Sequence, residues 1–162
     1  MLERGLELGQ AVNIDQANWL DLRELNRLSK RCFGKDAWPW IDLLAALAAP
    51  RTVPLKAMLL QEDEQVVGYV IADRRRPKLG WIASVAVDPE WRGKGIGNAL
   101  MEQAEGRLET PVVRLTLRRS NQAAYNLYLK RGYRQIKVWP AYYHDGEDGL
   151  VMEKILIPEE AS

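Results

Sequence analysis

The chain has 162 residues, of which 47% are hydrophobic and 28% charged, a size and composition typical of one soluble folded domain. Its formal net charge of +1 gives no long-range attraction to nucleic acid, and its single cysteine and single histidine exclude an internal disulfide and a metal site rich in either residue. The first residues lack the apolar core of a signal peptide, and no segment has membrane-spanning length. We therefore expect a single domain over residues 1–162 in the cytoplasm, with no metal, nucleic acid or membrane as a partner.

The first part of the chain predicts two helices. Asp15 is placed to cap a helix that ends near residues 32–34 and carries apolar residues at three- and four-residue spacing: Trp19, Leu20, Leu22, Leu25 and Leu28. A second helix follows the segment Trp38-Pro39-Trp40. Cys32, near the end of the first helix, is interpreted as a small buried apolar residue rather than a nucleophile.

Three strands follow these helices. Alternating apolar residues predict strands at 55–60 and 65–72, joined as a hairpin by a polar turn, and a third strand at 79–87. All three are expected to pair antiparallel. The basic residues 74–78 between the second and third strands are interpreted as a solvated hairpin turn rather than a surface for a partner.

The second half of the chain alternates helices and strands. Helices are predicted at 97–108 and 121–130, and strands at 112–117, 133–139 and 149–157. Because a helical crossover joins the strand at 112–117 to the strand before it, these two strands should be parallel. The predicted fold class is therefore mixed α/β, a single mixed sheet with helices on both faces.

A glycine-rich segment, Arg92-Gly93-Lys94-Gly95-Ile96-Gly97, lies between the third strand and the third helix. A tight turn of this kind exposes main-chain N–H groups, and the helix dipole favours an anion there, so we predict that it holds a pyrophosphate. A phosphate loop of nucleotide triphosphatases is excluded because Gly95, not serine or threonine, follows Lys94, and the acidic residue of a dinucleotide fingerprint is absent. The remaining alternative is a helix start in which the glycines serve geometry alone.

Three separated motifs together resemble those of the GNAT superfamily of acetyl-CoA-dependent N-acetyltransferases. They are residues 85–97, which include the glycine turn, residues 118–124 (Arg-Arg-Ser-Asn-Gln-Ala-Ala) and residues 127–133 (Leu-Tyr-Leu-Lys-Arg-Gly-Tyr). The resemblance runs from about residue 38 to 152. It implies the GNAT fold, with a central mixed sheet of six to seven strands flanked by about four helices, and acetyl-CoA as co-substrate without a metal.

The resemblance also implies which residues bind the coenzyme. The main chain of Val85, Ala86 and Val87 would line the pantetheine arm, with the Val87 N–H as a candidate oxyanion donor. The pyrophosphate would be surrounded by Arg92, Gly93, Lys94, Gly95, Ile96, Gly97 and Asn98. Asn121 would contact the coenzyme through its amide, and Tyr128 would bind it and protonate the leaving thiolate as general acid. The alternative for Tyr128 is packing against the sheet.

Two further segments resemble the substrate-side loops of peptide N-terminal acetyltransferases, including the RimI type. They are Ala37-Trp38-Pro39-Trp40 and residues 142–148, which begin with Tyr142 and Tyr143. By this resemblance Trp38, Tyr142 and Tyr143 would bind the acceptor, the tyrosines through hydrogen bonds to the peptide backbone. The alternative is that the two tyrosines form a partly buried aromatic pair in a strand connection.

One position departs from the RimI-type pattern. Where those enzymes carry a glutamate as general base, this chain has Thr116, which cannot accept a proton at neutral pH. His144, Asp36 and Glu147 are the candidate bases that remain, acting through water. An α-amine with a pKa of about 8 needs roughly 1.4 kcal/mol to become neutral at pH 7, whereas a lysine amine needs roughly 4.6 kcal/mol. The lost glutamate therefore favours an α-amine as acceptor.

The function predicted from the sequence is acetyl transfer from acetyl-CoA to the N-terminal α-amine of a protein or peptide, by direct attack in a ternary complex. The first alternative is acetylation of a small amine or of a protein lysine, because a fold does not determine its substrate. The second is a non-catalytic acetyl-CoA sensor, which Thr116 in place of the base would favour, and the third is a nicotinamide-binding module. The sequence does not predict whether the chain forms oligomers.

Overall fold

Seven strands form one mixed sheet in the part of the chain that the computed structural model describes, residues 12–60 and 64–157. The strands are β1 (Val12–Gln16), β2 (Thr52–Leu59), β3 (Gln65–Arg76), β4 (Leu79–Val87), β5 (Val112–Arg118), β6 (Arg134–Trp139) and β7 (Gly149–Ile155). Their order across the sheet is β1-β2-β3-β4-β5-β7-β6, and every neighbouring pair is antiparallel except β4 and β5. The predicted parallel pair and the predicted mixed sheet are confirmed.

Four α-helices cover the two faces of the sheet: α1 (Leu22–Phe33), α2 (Trp40–Ala48), α3 (Ile96–Leu108) and α4 (Gln122–Lys130). One face packs against α1 and α2 through a cluster that includes Leu25, Leu28, Leu43, Tyr69 and Ile71. The other face packs against α3 and α4 through a larger cluster that includes Leu55, Val70, Leu100, Leu108, Leu115 and Tyr128. Each buried leucine side chain contributes roughly 1.5–3 kcal/mol to folding before conformational entropy is subtracted. None of the described helices is long and apolar enough to cross a membrane.

The sheet begins earlier than the sequence predicted. Residues 12–16 form β1, in which Asp15 lies opposite Lys56 of β2, so Asp15 does not cap a helix. Asn18 takes that role, since its Oδ1 accepts a hydrogen bond from the Leu20 N–H at 2.9 Å. The cap opens a short 3-10 turn that leads into α1. Trp19 and Leu20, predicted on the apolar face of the helix, lie in this turn and are 66% and 70% exposed.

The basic residues between β3 and β4 are not a turn as a whole, because β3 continues to Arg76. Arg74 donates from Nε to the Leu108 carbonyl at 3.0 Å and from Nη2 to the Arg107 carbonyl at 2.6 Å. These carbonyls belong to the last turn of α3, where the helix provides no partner of its own. Arg74 is thus a cap for α3, which corrects its interpretation as part of a solvated turn, whereas Arg75 and Arg76 are exposed as expected.

A buried ionic cluster connects α3 to the end of α4 and to β7. The Glu105 carboxylate, 7% exposed, accepts hydrogen bonds from Arg131 Nη2 at 2.8 Å, the Tyr133 hydroxyl at 3.0 Å and Lys154 Nζ at 2.9 Å. Arg131 also donates to the main-chain and side-chain oxygens of Asn98 in the first turn of α3. The cluster therefore holds the start of α3 against the end of α4, which are the two helix ends nearest the predicted site.

Candidate active site

β4 and β5 separate towards their carboxyl ends. They pair from Leu79 and Val112 to Ile82 and Leu115, whereas both strands continue for several residues beyond the last pair. The gap is a cavity of about 260 Å³, which we call the cleft. Its walls include Phe33, Asp36, Trp38, Ser84, Val85, Thr116, Arg118, Asn121, Tyr128, Tyr142 and Tyr143. The separation of two parallel strands thus brings together side chains from both halves of the chain.

The predicted coenzyme-binding residues of β4 do not all face the cleft. The Asp88 N–H donates to the Val67 carbonyl at 2.8 Å, which sets the alternation of hydrogen-bonded and non-hydrogen-bonded pairs along β3 and β4. By this alternation the main-chain groups of Ala86 bond to β3. Those of Val85 and Val87 point the other way, towards the gap left by β5. Two of the three predicted residues therefore have main-chain groups directed away from β3.

The Val87 carbonyl already has partners. It accepts a hydrogen bond from Arg92 Nε at 3.1 Å, which draws the glycine turn back onto the end of β4. The Cys32 Sγ lies 3.4 Å from the same oxygen and donates weakly to it. Cys32 is half-buried and packs against the cluster beneath α1 and α2, so the prediction of an apolar packing residue holds in part, and its Sγ is also a polar contact from α1 to β4. The Val87 N–H remains the group that could face an oxyanion.

The glycine turn before α3 has the backbone that its sequence predicts. Gly93 and Gly95 have φ angles of 77° and 83°, in the left-handed region that residues with a Cβ rarely adopt. A Cβ at either position would meet no atom within 4 Å, so conformation rather than crowding requires glycine. The first hydrogen bond of α3 runs from the Ala99 N–H to the Gly95 carbonyl at 3.0 Å. The N–H groups of Ile96, Gly97 and Asn98 have no partner within the helix and are suited to an anion.

Side chains around this turn are engaged with their neighbours. Asn98 accepts from Arg131 through its carbonyl, at 3.3 Å, and through its side-chain oxygen, so its N–H and its side-chain NH₂ remain as the donors it can offer an anion. Ile96 is 1% exposed and packs in the core, so it too can contribute only main-chain groups. Lys94 Nζ lies 5.8 Å from the ring centroid of Trp91. Backbone amides, with the nearby charges of Arg92 and Lys94, therefore make up the predicted pyrophosphate site.

Tyr128 reaches the cleft from α4 while most of its ring lies in the core. Tyr128 is only 9% exposed. Its ring meets that of Tyr133 edge to face, with 5.8 Å between the ring centroids. Burial raises the pKa of Tyr128 to about 12, although the charge of Arg131 acts in the opposite direction. A phenol with this pKa is protonated at neutral pH and can donate a proton. Tyr128 thus packs in the core and also lines the cleft, while its role as general acid stays a prediction.

Aromatic side chains form a row along the acceptor end of the cleft. Trp81 stacks on Trp139 with 5.9 Å between ring centroids, Trp139 lies 5.2 Å from Tyr142, and Tyr142 meets Tyr143 edge to face at 5.0 Å. Tyr142 is 53% exposed and Tyr143 is half-buried. The tyrosines are therefore a partly buried aromatic pair, the alternative that the sequence left open. They also line the cleft beside Trp38, and acceptor binding by these three residues stays a prediction.

Gly149, the first residue of β7, lets Tyr142 approach the cleft. A Cβ at this position would lie 3.0 Å from Thr116 Cγ2 and 3.1 Å from Tyr142 Cβ, distances too short for ordinary packing. A larger residue at position 149 would push Tyr142 and Thr116 outward by a few tenths of an ångström. Gly149 thus lets Tyr142 and Thr116 both pack closely against the start of β7.

Arg118 joins the two predicted acceptor segments. Its Nε and Nη2 bind Asp36 at 2.6 Å and 2.7 Å, and its Nη1 binds Asp145 at 2.9 Å and Glu147 at 2.8 Å. The guanidinium carbon also lies 4.2 Å from the ring centroid of Tyr143. We call these residues, together with Lys35, which binds Asp145 at 2.8 Å, the arginine clamp. The clamp ties the segment before α2 to the segment between β6 and β7, at the end of β5.

The clamp lowers the basicity of the candidate bases. Hydrogen bonds from Arg118 lower the pKa of Asp36, and hydrogen bonds from Ser120, followed by Arg118, lower the pKa of Glu147. Both carboxylates are thus weaker bases than free ones. His144 is exposed and is not part of the cleft wall. Asp36 is the one candidate of the three that lines the cleft, and there it serves as a partner of Arg118.

No group of three histidine, cysteine, aspartate or glutamate side chains in the described ranges could hold a metal ion. At the usual base position, the Thr116 Oγ1 is buried and has no hydrogen-bond partner among the described residues. The polar side chains of the cleft wall are the hydroxyls of Ser84 and Thr116, the tyrosine phenols, the Asn121 amide, and the Asp36–Arg118 pair of the clamp. This donor set suits binding and proton donation rather than strong proton abstraction.

The chain matches the profile of the acetyltransferase (GNAT) family over residues 19–133, well over half its length. It belongs to the GNAT acetyltransferase family. The resemblance stated from the three motifs is thereby confirmed, and so is the GNAT fold, with its seven strands and four helices. The motif at residues 85–97, which contributed to this resemblance, lies within the matched range.

Individual GNAT proteins are similar along most of the chain. A Dictyostelium discoideum protein named N-terminal acetyltransferase complex ARD1 subunit homolog is 32% identical over 167 aligned positions, which cover 96% of the chain and 73% of that protein. The ribosomal-protein-S18-alanine N-acetyltransferase from Escherichia coli is 23% identical, with a TM-score of 0.82 and coverage of 94% and 98% of the two chains. Arabidopsis thaliana NAA60, solved with acetyl-CoA, is 16% identical, with a TM-score of 0.79 and coverage of 90% and 99%. At these identities the two structures support the fold alone.

Several curated GNAT relatives are longer than the matched region. Four of them are covered over 61%, 73%, 63% and 65% of their own lengths. The shared part is thus about two thirds of such proteins.

The main feature of this GNAT site that sequence reasoning missed is the role of Arg118. The residue was part of a motif, but its carboxylate partners lie 82, 27 and 29 residues away along the chain. The only local signal was an arginine at the end of a strand and a cluster of acids in 145–148. Neither signal indicates that the two groups meet.

We expect Arg118→Met to raise the KM for the acceptor by about tenfold or more, with a smaller change in the KM for acetyl-CoA. Three carboxylates would lose their shared cation and repel one another, which would release both acceptor segments. The matched control is Arg119→Met, because Arg119 is 63% exposed at its side chain and binds a single carboxylate, Asp148, at 2.7 Å. Steady-state kinetics with each substrate varied in turn measure both constants. Equal acceptor KM values in the two variants would contradict a role for the clamp.

Proposed function

We propose that this GNAT protein transfers an acetyl group from acetyl-CoA to the N-terminal α-amine of a protein or peptide, by direct attack in a ternary complex. The observation that carries the proposal is the cleft, in which Tyr128 and the acceptor residues Trp38, Tyr142 and Tyr143 share one cavity. β4 leads from this cavity directly into the glycine turn. Coenzyme, proton donor and acceptor would therefore meet where β4 and β5 separate.

The chain has groups suited to each part of the coenzyme. The N–H groups at the start of α3 that have no partner within the helix would hold the pyrophosphate, and the main-chain groups of Val85 would pair with the amides of the pantetheine arm. Asn121 caps α4 by accepting from the Ala124 N–H at 3.2 Å, which leaves its side-chain NH₂ as a donor for the coenzyme. Bound acetyl-CoA supplies the thioester.

Two groups of the chain would act on the reacting atoms. The Val87 N–H would donate a hydrogen bond to the thioester oxygen, where negative charge develops during attack. The Tyr128 hydroxyl, protonated at neutral pH, would give its proton to the sulfur as the carbon–sulfur bond breaks. The proton of the attacking amine would pass to water, since no strong base of the chain lines the cleft.

An α-amine suits this site better than a lysine. The base position holds Thr116, and the pKa values of Asp36 and Glu147 are lowered, so the acceptor must lose its proton with little assistance. The deficit at pH 7 is roughly 1.4 kcal/mol for an α-amine and roughly 4.6 kcal/mol for lysine, a difference of more than 100-fold in neutral amine. The name of the Dictyostelium relative, which refers to N-terminal acetylation, also supports this choice.

Peptides that each contain one lysine, with the α-amine either free or blocked, test the proposal. We expect acetyl-CoA-dependent release of free thiol with the free peptides and none with the blocked peptides, and mass spectrometry should locate the acetyl group on the first residue. Lysine labelling of blocked peptides would contradict the choice of acceptor. Coenzyme A binding without thiol release, across peptides, polyamines and amino sugars, would instead favour the non-catalytic alternative.

A further inference from the structure

A second cavity adjoins the acceptor end of the cleft. It has a volume of about 370 Å³ and lies between α2 and the adjoining face of β3 and β4. It is open because small residues line it on the helix side and on β4: Ala45, Ala46, Ala49 and Ala83. Four of its wall residues, Trp38, Trp81, Ala83 and Tyr142, also line the cleft. We call it the side cavity. A peptide that left the cleft between Trp38 and Tyr142 would pass it, because these two residues line both cavities.

Two polar residues of the side cavity have partners within the fold, although Asp73 Oδ1 accepts no hydrogen bond from the described residues. The Thr52 hydroxyl donates to the carbonyls of Ala46 and Ala49, the latter at 2.8 Å. Asp73, 7% exposed, has its carboxylate compensated by Arg51, whose Nε lies 3.3 Å from Asp73 Oδ1. The charges of Asp73 and Arg51 therefore cancel each other.

Arg75 is the remaining charged residue of the side cavity. Its guanidinium carbon lies 4.8 Å from the ring centroid of Trp81, which is itself held by stacking on Trp139. Within residues 12–60 and 64–157, no carboxylate pairs with Arg75. A guanidinium over an aromatic ring keeps its N–H edges available, and these match the two oxygens of a carboxylate. The side cavity thus carries one uncompensated positive charge on a supported side chain.

From these observations, and on the basis of the proposed function, we propose that the side cavity binds an aspartate or glutamate side chain near the N-terminus of the acceptor, with Arg75 as the residue that selects it. The two ends of the acceptor path have opposite charge. In the arginine clamp three carboxylates outnumber Arg118 and Lys35, which favours the approach of a cationic amine. The side cavity favours an anion further along the same peptide.

Matched peptides measure this selectivity. Each pair differs only by glutamate or glutamine, placed at the second, third or fourth residue in turn, and the readout is the ratio of kcat/KM within each pair. We expect glutamate to be preferred by about three- to tenfold at one of these positions, because the contact is partly exposed. Raising the KCl concentration should reduce the preference, since salt screens exposed charges.

The variants Arg75→Met and Arg76→Met form a matched pair, because both remove one exposed positive charge from the same strand and only Arg75 lines the side cavity. We expect the preference to fall to about one in Arg75→Met, to persist in Arg76→Met, and to survive in part in Arg75→Lys. Equal kcat/KM values within every wild-type pair, or a preference that persists in Arg75→Met, would overturn the inference while leaving the proposed function intact. Absence of acetylation for every α-amine peptide would refute the proposed function and the inference with it.

Discussion

Tyr128→Phe is expected to reduce kcat by about 100-fold or more, with little change in the affinity for acetyl-CoA. The substitution removes one hydroxyl and keeps the ring that packs against Tyr133 in the core. It therefore tests proton donation separately from packing. Single-turnover kinetics and calorimetric titration with coenzyme A measure the two quantities independently.

Tyr125→Phe is the control, because Tyr125 lies one turn earlier on α4, is partly buried and does not line the cleft. It should retain nearly full activity. A kcat of Tyr128→Phe near that of the wild type, with coenzyme binding intact, would refute the role of Tyr128 as general acid. Lost coenzyme affinity in the same variant would show that the hydroxyl binds rather than donates.

The pH dependence of the wild-type enzyme follows from the same residue. Burial raises the pKa of Tyr128 to about 12, and the phenol can donate only while it is protonated. We expect kcat to rise with pH as the acceptor amine loses its proton. Because the raised pKa keeps Tyr128 protonated at higher pH, kcat should show no decline up to about pH 10. A decline below that pH would mean that the acid is another group.

The second large effect is expected on stability. Glu105→Gln should lower the free energy of unfolding by about 3 kcal/mol, because it removes the carboxylate that neutralises the buried Arg131 and accepts from Tyr133 and Lys154. Arg131 also holds Asn98 in the first turn of α3, so the affinity for acetyl-CoA should fall in the folded variant as well. Urea unfolding and calorimetric titration measure these changes.

Glu102→Gln is the matched control for this experiment, since Glu102 lies one turn earlier on α3 and is exposed. Its effect on the free energy of unfolding should be within about 0.5 kcal/mol. A loss of under about 1 kcal/mol in Glu105→Gln would contradict the importance of the buried cluster. So would equal losses in the two variants.

Most of the helices and strands were predictable because each has a local signal. The apolar period indicated the segments that became β2 to β7 and the four helices, with boundaries shifted by a few residues. The first strand was missed because it is a five-residue edge strand, too short for its alternation to stand out. Its Asp15 was mistaken for a helix cap, since aspartate and asparagine cap equally well and Asn18 follows three residues later.

The candidate site was predictable to different degrees. The glycine turn was predictable from the sequence, because the positive φ angles at Gly93 and Gly95 depend only on those residues and their neighbours. The arginine clamp was not predictable. The sequence around an arginine is the same whether its partner is water or a carboxylate 82 residues away. The basicity of the candidate bases was not predictable for the same reason: Asp36 and Glu147 have lowered pKa values because the fold brings hydrogen-bond donors to them.

The sequence by itself determined the order of the α-helices and of β2 to β7, the glycine turn and the family, because these depend on residues close together in the chain. The tertiary structure alone decided how β4 and β5 separate, which carboxylates surround Arg118 and where alanines leave the side cavity open. The physical reason is that a cleft or a cavity is a space between elements. Its shape and charge arise from side chains that no short segment of sequence contains together.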